Sequence, residues 1–374
     1  MHRRRLAALA AALAASACSS DTASLTPLAW QKVPGPAAAG ALLDLGAAGA
    51  FDERGVFTVS TLVHDGEVWL YYGGADATGD AACPGINDAH WRPGLARSTD
   101  GVHFTRVAGD GPGGALLDVG AAGSFDSFLA YRPFVLEDGG TFRMWFNGST
   151  KPFNCPTGTL ANDRRVGYAE SSDGVHWTKQ YDGDGPGGSV LPLGAQGEFD
   201  AQQVGYVWVM KDGAGYRMYY SANDVLNYWR VGLAVSTDAR HWTKVRGKGA
   251  TGAVLDLGGD GELDAACAYQ PTVVKERSDL WRMWYRACAQ PGPAGGPSRG
   301  EIGYAESNDG VTWVKLPQPA SATGAALTMG GTGAFDAVGL TTPSAFLLGD
   351  TWNLYYAGFD ATGRFLPGLA RAPR

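Results

Sequence analysis

Five aspartates carry the most repeated chemical signal in the chain. Asp52, Asp126, Asp200, Asp264 and Asp336 close the stretches GAFD, GSFD, GEFD, GELD and GAFD, each behind a glycine and a bulky apolar residue. A pair of carboxylates can cleave an acetal, one protonating the leaving oxygen and the other acting as base or nucleophile. On that chemistry Asp52, Asp126 and Asp200, together with Asp224, are candidate acids. Recurrence argues for a different use, because one substrate cannot meet five identical acids productively. A residue that every copy needs is better explained as a structural cap. Its side chain would accept from backbone N–H groups while the preceding apolar ring wedges between sheets.

The aspartates recur at intervals of 74, 74, 64 and 72 residues, and the same succession of segments follows each. After Asp126 come AYRPFVLEDGG, TFRMWFNGS, RVGYAESSDG and VHWTKQ; after Asp264 come AYQPTVVKE, LWRMWYRAC, EIGYAESNDG and VTWVKL. Four short runs rich in Val, Trp, Tyr and Phe, separated by Asp-Gly-type turns, read as a four-stranded antiparallel meander. Runs such as MWF and MYY are apolar at consecutive positions, so both faces of each sheet are expected to be buried, as in a ring of stacked sheets. The fifth copy stops after its third strand, LPGLARAPR, while LAWQKVPG reads as a fourth strand with no copy before it. Trp30, Phe104, Trp177, Trp242 and Trp313 stand 22 or 23 residues ahead of successive aspartates. The expected architecture is an all-β, five-bladed β-propeller of four-stranded antiparallel blades over residues 28–374. The N-terminal strand would complete the last blade and close the ring.

Function in a quasi-symmetric ring must break the symmetry. The first strand of such a blade lines a central channel, and the long loops between second and third strands gather on one face, where binding usually lives. The longest belong to repeats one and two, GGADATGDAACPGINDAHWRPG and GSTKPFNCPTGTLANDRR. Arg132, Tyr206 and Gln270 hold equivalent first-strand positions yet differ in kind, and are expected to share a ring at the channel entrance. Asn147, Asp224 and Arg286 follow or end second strands on the same face, as do Asp76 and Asp360. Amide, carboxylate and guanidinium groups beside aromatic rings suit sugar hydroxyls, so these residues are the candidate ligand-binding set and a carbohydrate the expected partner. His103, His176 and His241 belong to one repeated strand and form no metal cluster; only His64 and His90 escape the repeat.

Residues 1–18 read as an export signal: MHRRR is a positive segment, LAALAAALAA an apolar one, and small residues end it. The apolar stretch is too short for a stable membrane span. ASAC resembles a bacterial lipobox, in which Cys18 would carry the lipid; ordinary cleavage after ASA is the alternative. The chain is therefore expected to be exported and either lipid-anchored through Cys18 or secreted, with residues 19–27 as a linker. Setting Cys18 aside leaves four cysteines, an even number suited to an oxidising compartment. Cys267 and Cys288 flank a hairpin and would face each other across two strands; Cys83 and Cys155 sit in equivalent loops of adjacent repeats and could also pair. Four buried thiols are the other reading. The net charge of −7 comes without a basic stripe, which argues against nucleic acid as a partner. A monomer is expected.

The pattern GxFD…P.V..DG…RMWY.G…IGYAESxDGxxW resembles the repeat of five-bladed propellers related to glycoside hydrolase families 43 and 32, over about residues 28–374. The resemblance implies a glycoside hydrolase of that type acting on an oligo- or polysaccharide; the alternative is a non-catalytic surface propeller that binds a glycan or a protein. Family 43 enzymes start an innermost strand with an Asp-Pro base and add a further Asp and a Glu. At the matching positions this chain has Arg132, Gln270 and Thr342 before prolines, Tyr206 in the third repeat, and Thr58 or Val59 in the first. None is a carboxylate. The resemblance also implies that a channel cation such as calcium could bind; no other cofactor is expected. The turns at Ser98, Ser171, Ser236 and Ser307 are similar to the Asp box of sialidases, one residue shorter, and read as structural.

Overall fold

A computed structural model of the chain describes residues 28–79, 89–152, 163–290, 299–318 and 321–374. The export segment, the linker, Cys18 and the Cys83–Cys155 pair lie outside the described residues. The fold is all-β, with only three-residue 3-10 turns as helix among the described residues. Four units supply their own four strands in order. They are β2–β5 (Gly55–His64, Glu67–Gly79, Ala89–Ser98, Thr105–Val107) and β6–β9 (Leu129–Asp138, Thr141–Ser149, Arg165–Ser171, Thr178–Gln180). The next two are β10–β13 (Gln203–Asp212, Gly215–Asn223, Trp229–Ser236, Thr243–Val245) and β14–β17 (Cys267–Arg277, Leu280–Cys288, Glu301–Ser307, Val314–Lys315). These two share one sheet through a single parallel bridge, Trp229 to Cys267.

The fifth unit has only three strands of its own, β18–β20 (Gly339–Leu348, Thr351–Phe359, Phe365–Pro373), and takes its fourth from β1 (Gln31–Val33). Gln31 stands opposite Arg371 and Val33 opposite Leu369. Tight turns join first to second strands, where Gly66, Gly139, Gly213 and Gly349 take the positive φ that such turns need.

Aromatic side chains pack the sheets against one another. Trp145, Trp284 and Trp352 are fully buried, as are Tyr71, Tyr219 and Tyr355. A second-strand side chain of one unit also donates to the Ser-x-Asp turn of the next. Tyr71 reaches the Gly174 carbonyl (3.0 Å), Trp145 that of Ala239 (3.1 Å) and Tyr219 that of Gly310 (2.7 Å). Tyr355 of the fifth unit reaches Gly101 of the first (2.8 Å). The turns themselves are held by side chains. Asp100 Oδ1, for example, accepts from the backbone of Val102 and His103, while Ser98 Oγ accepts from Gly101.

The five repeated aspartates are almost wholly buried, and their partners differ from the expected backbone cap. Tyr72, Tyr220, Tyr285 and Tyr356 of the second strands donate to Asp52, Asp200, Asp264 and Asp336 at 2.8–2.9 Å. The second repeat carries Phe146 at this place, and Tyr181, beyond the rim strand, turns back to Asp126 instead (3.3 Å). A cation from each rim strand completes the set. Arg106 meets Asp52 at 2.8 Å, Lys179 meets Asp126 at 2.6 Å, Lys244 meets Asp200 at 2.6 Å and Lys315 meets Asp264 at 2.6 Å. Lys32 of β1 meets Asp336 at 2.5 Å, so the N-terminal strand carries the cation that the fifth unit lacks. Backbone capping fails because the carboxylate turns inward to the sheet. A Cβ on Gly46, Gly120, Gly194, Gly258 or Gly330 would fall 1.9–2.2 Å from the aspartate Oδ1.

Removing one cation leaves a buried carboxylate uncompensated, which costs about 2–4 kcal/mol after allowing for the partial exposure of the lysine. Lys32→Met should therefore lower unfolding stability by that amount in urea titration, and Lys32→Arg should recover most of it.

Candidate functional site

Each first strand slips register near its start, between Phe57 and Val59, Tyr131 and Phe134, Gly205 and Trp208, Tyr269 and Thr272, and Thr341 and Ser344. In four of the units the bulge holds a non-glycine residue in the left-handed region: Arg132 (φ 57°), Tyr206 (φ 47°), Gln270 (φ 55°) and Thr342 (φ 47°). Such a conformation costs about 1–2 kcal/mol per residue. Three of these residues precede Pro133, Pro271 and Pro343, whose rings cannot donate to the ladder and so fit at a bulge. The bulge breaks the alternation of the strand, and these four residues line a common cavity of about 40 Å³. Its lining includes Ser60, Arg132, Phe134, Tyr206, Gln270 and Thr342.

Around it the buried polar groups form a continuous network. The Arg132 guanidinium lies 3.6 Å from the ring centre of Tyr206 and 4.2 Å from that of Phe57. Arg164 donates to Tyr131 Oη (2.9 Å) and Gln203 Oε1 (3.0 Å) and stacks over Tyr206 (4.5 Å) and Trp229 (5.1 Å). The Tyr206 N–H donates to Asn147 Oδ1 at 2.9 Å. Gln270 Oε1 accepts from the Thr342 N–H (3.0 Å) and from the Thr341 hydroxyl, which also accepts from Arg286 (3.2 Å). Tyr206 packs edge to face on Trp229 (5.5 Å between ring centres) and on Tyr269 (5.7 Å), and Trp229 lies tilted against Tyr269 at 5.1 Å.

Burial pulls the Arg132 guanidinium down to about 10, leaving it protonated at neutral pH. Burial raises the Tyr206 phenol, but the charges of Arg132, Arg164 and Arg286 and a hydrogen bond with Tyr131 together bring it below its ordinary value. Tyr131 moves the other way, raised chiefly by burial.

Of the sequence-derived binding set, the structure brings Arg132, Asn147, Tyr206, Gln270 and Arg286 into this one network. Asp76, Asp224 and Asp360 stand apart as loop clamps. Asp76 pairs with Arg92, Asp224 with Arg230 (2.9 Å) and Asp360 with Arg364 (3.2 Å). Asp224 also accepts from the Leu226 and Tyr228 backbone, and Asp360 from the Thr362 and Arg364 backbone. Asp52, Asp126 and Asp200 do not line the cavity, and no carboxylate does among the described residues. A calcium ion takes six to eight oxygen ligands, usually including carboxylates. The cavity instead presents a guanidinium, so its residues do not fit that ion. No group of three or more His, Cys, Asp or Glu side chains among the described residues is placed to hold a metal.

Sequence reading missed Arg164, Tyr131, Tyr269 and Trp229. The repeated AYRP and AYQP could have flagged the two tyrosines, since each precedes a bulge residue. Arg164 ends a long loop outside the repeat and had no such signal. Cys267 and Cys288 form a disulfide between β14 and β15, just outside this network.

No family model matches the chain. It is 29% identical over 205 residues to the uncharacterized protein Rv1502 of Mycobacterium tuberculosis (strain ATCC 25618 / H37Rv), a match that spans 54% of this chain and 59% of that protein. The match thus covers about three-fifths of the length of the curated relative. Among solved structures, a glycoside hydrolase superposes with a TM-score of 0.66 at 15% identity, over 91% of this chain and 93% of that one. The β-1,2-mannobiose phosphorylase from Listeria innocua gives 0.59 at 15% identity, over 86% and 90%. A structure from work on the GH130 family of mannoside phosphorylases, described as containing glycoside hydrolases that target β-1,2-mannosidic linkages in Candida mannan, gives 0.63 at 16% identity, over 92% and 94%. The chain shares the fold of these proteins.

If the Arg132 charge lowers the Tyr206 phenol, Arg132→Met should raise it. Ultraviolet difference titration, with Tyr206→Phe as the reference, should show the early-titrating tyrosine of the parent chain shifted to higher pH in Arg132→Met.

Proposed function

We propose that the five four-stranded units are the blades of a closed five-bladed propeller related to glycoside hydrolase families 43 and 32, and that its channel mouth binds a glycan. The observation that carries this reading is the set of unlike side chains on like bulges. Arg132, Tyr206 and Gln270, with Asn147 and Arg286 beside them, set planar hydrogen-bonding groups next to the half-buried rings of Tyr206 and Trp229. A pyranose offers an apolar face and ring-edge hydroxyls, which match aromatic faces flanked by planar groups. The five repeated aspartates serve the blades in this reading and leave the chemistry of the mouth to residues that differ between repeats.

Binding without cleavage is the favoured form, because among the described residues no carboxylate lines the cavity to act as acid or base. A second reading, turnover of a glycoside, is favoured by the glycoside hydrolases and phosphorylases that share the fold. On that reading Tyr206 is the group to watch, since its phenol is the one at the mouth shifted toward ionisation. Screening neutral and acidic oligosaccharides by calorimetry, with product analysis in buffers with and without inorganic phosphate, separates the two. Saturable binding without product, weakened about tenfold or more by Tyr206→Ala or Trp229→Ala, is the expected result. Product formation abolished in Tyr206→Phe would favour the second reading.

We further propose that the protein is exported and held at the cell envelope by a lipid on Cys18, and that it works as a monomer. Among the described residues no helix is long and apolar enough to cross a membrane. Cys18→Ala should abolish fatty-acid labelling and move the protein from the membrane fraction to the medium. Unchanged labelling would place the modification elsewhere, and light scattering reports the oligomeric state.

A further inference from the structure

We propose that a groove on the fourth unit binds a small aromatic ring that carries a cationic group. The groove has a volume of about 260 Å³. Leu263, Tyr285, Tyr304, Leu316 and Pro317 line it, with the exposed Glu262 at its edge. It shares no residue with the lining of the mouth, so it stands independently of the glycan reading.

Two features of the other units are missing there. In those four, the phenylalanine before the repeated aspartate is buried and stacks on a second-strand ring. Phe51 lies on Tyr72, Phe125 on Phe146, Phe199 on Tyr220 and Phe335 on Tyr356, with ring centres 5.7–6.1 Å apart. The fourth unit has Leu263 at this place, only half-buried, and Leu263 brings no ring to Tyr285. The residue two places after the rim-strand cation differs as well. In the second unit it is Tyr181, whose ring packs edge to face on Phe125 at 6.0 Å. In the third it is Arg246, which pairs with Glu198 at 3.3 Å. In the fourth it is Pro317, which offers neither an aromatic ring nor a charge. Glu262, the counterpart of Glu198, is held by the Gly259 N–H, which donates to Oε2 (2.9 Å), and has no ion pair among the described residues.

The groove therefore lacks one ring and one positive charge. An apolar cavity of about 150 Å³ takes a benzene ring, so a phenyl group with a short arm fits this one. Leu263, Leu316 and Pro317 give the ring apolar surface, and the polar arm reaches the exposed edge. Lys315 and Asp264 pair at 2.6 Å and cancel, which leaves Glu262 as the net charge of the lining. A cationic arm is favoured over an anionic one, by the modest margin that an exposed carboxylate provides.

The test titrates the full chain with phenethylamine, phenylpropanoate and butylamine, followed by saturation-transfer NMR and by the thermal midpoint. Expected are saturable binding of phenethylamine, binding of phenylpropanoate about fivefold weaker or more, and no saturation by butylamine. Leu263→Phe supplies the missing ring from the chain itself. It should weaken phenethylamine about tenfold or more and raise the midpoint of the ligand-free protein. Glu262→Gln and Pro317→Arg change exposed positions and keep the fold whatever Leu263→Phe does. Each should weaken phenethylamine about two- to fivefold without weakening phenylpropanoate. Equal affinity for the amine and the acid, or phenethylamine binding untouched by Glu262→Gln and Pro317→Arg, would overturn the proposal. So would undiminished binding to a folded Leu263→Phe chain.

Discussion

Each four-stranded unit is fastened by one buried carboxylate. An aspartate such as Asp200 sits at the entrance to a first strand and takes a tyrosine hydroxyl from the second strand and a cation from the rim strand. Three elements distant in sequence are thereby tied at one point. A buried carboxylate is tolerated only when its partners are in place, so the interaction favours the assembled unit over a partly formed one. Phe51, Phe125, Phe199 and Phe335 wedge beside it, with glycines opposite that leave room for the ring. That first and fifth units obey the same rule explains the placement of β1, whose Lys32 reaches Asp336 across 304 residues of chain.

The mouth depends on this fastening because the first strand must be fixed before its bulge can aim a side chain. Backbone geometry is shared: the bulge residues fall within a narrow range of left-handed φ in four units. Chemistry is not shared, since those residues are Arg, Tyr, Gln and Thr. A set of like frames bearing different groups is an economical way to assemble an asymmetric site on a repeating fold. The strain at each bulge and the burial of an unpaired guanidinium are costs that packing alone does not explain. Such costs cluster where function demands them.

Much of the scaffold was legible in the sequence, because repetition exposes whatever all copies require. The repeated aspartates, the turn glycines, the alternation of short strands and the missing fourth strand of the last copy were all visible in this way. Arg132, Tyr206 and Gln270 were legible by the opposite logic, as unlike residues at like positions. What stayed hidden were partners set by three-dimensional proximity. For Asp52 the tyrosine lies 20 residues away and the rim-strand arginine 54, so the expected backbone cap was the wrong partner for the right residue. Asp76, Asp224 and Asp360 looked like site residues because they end second strands on the correct face. The arginines that bind them, placed at the start of the third strands, turn them into clamps.

Repeated residues hold the fold, and in the proposed reading unlike residues serve the mouth. The most direct test is urea unfolding of Asp126→Asn beside Arg132→Gly. Asp126→Asn removes the charge that pairs with buried Lys179 and should cost about 2–4 kcal/mol. Arg132→Gly removes a buried cation with no ion pair among the described residues and a left-handed side chain together, and should leave stability unchanged or raise it by about 1 kcal/mol. A loss at Arg132 as large as that at Asp126 would contradict the division.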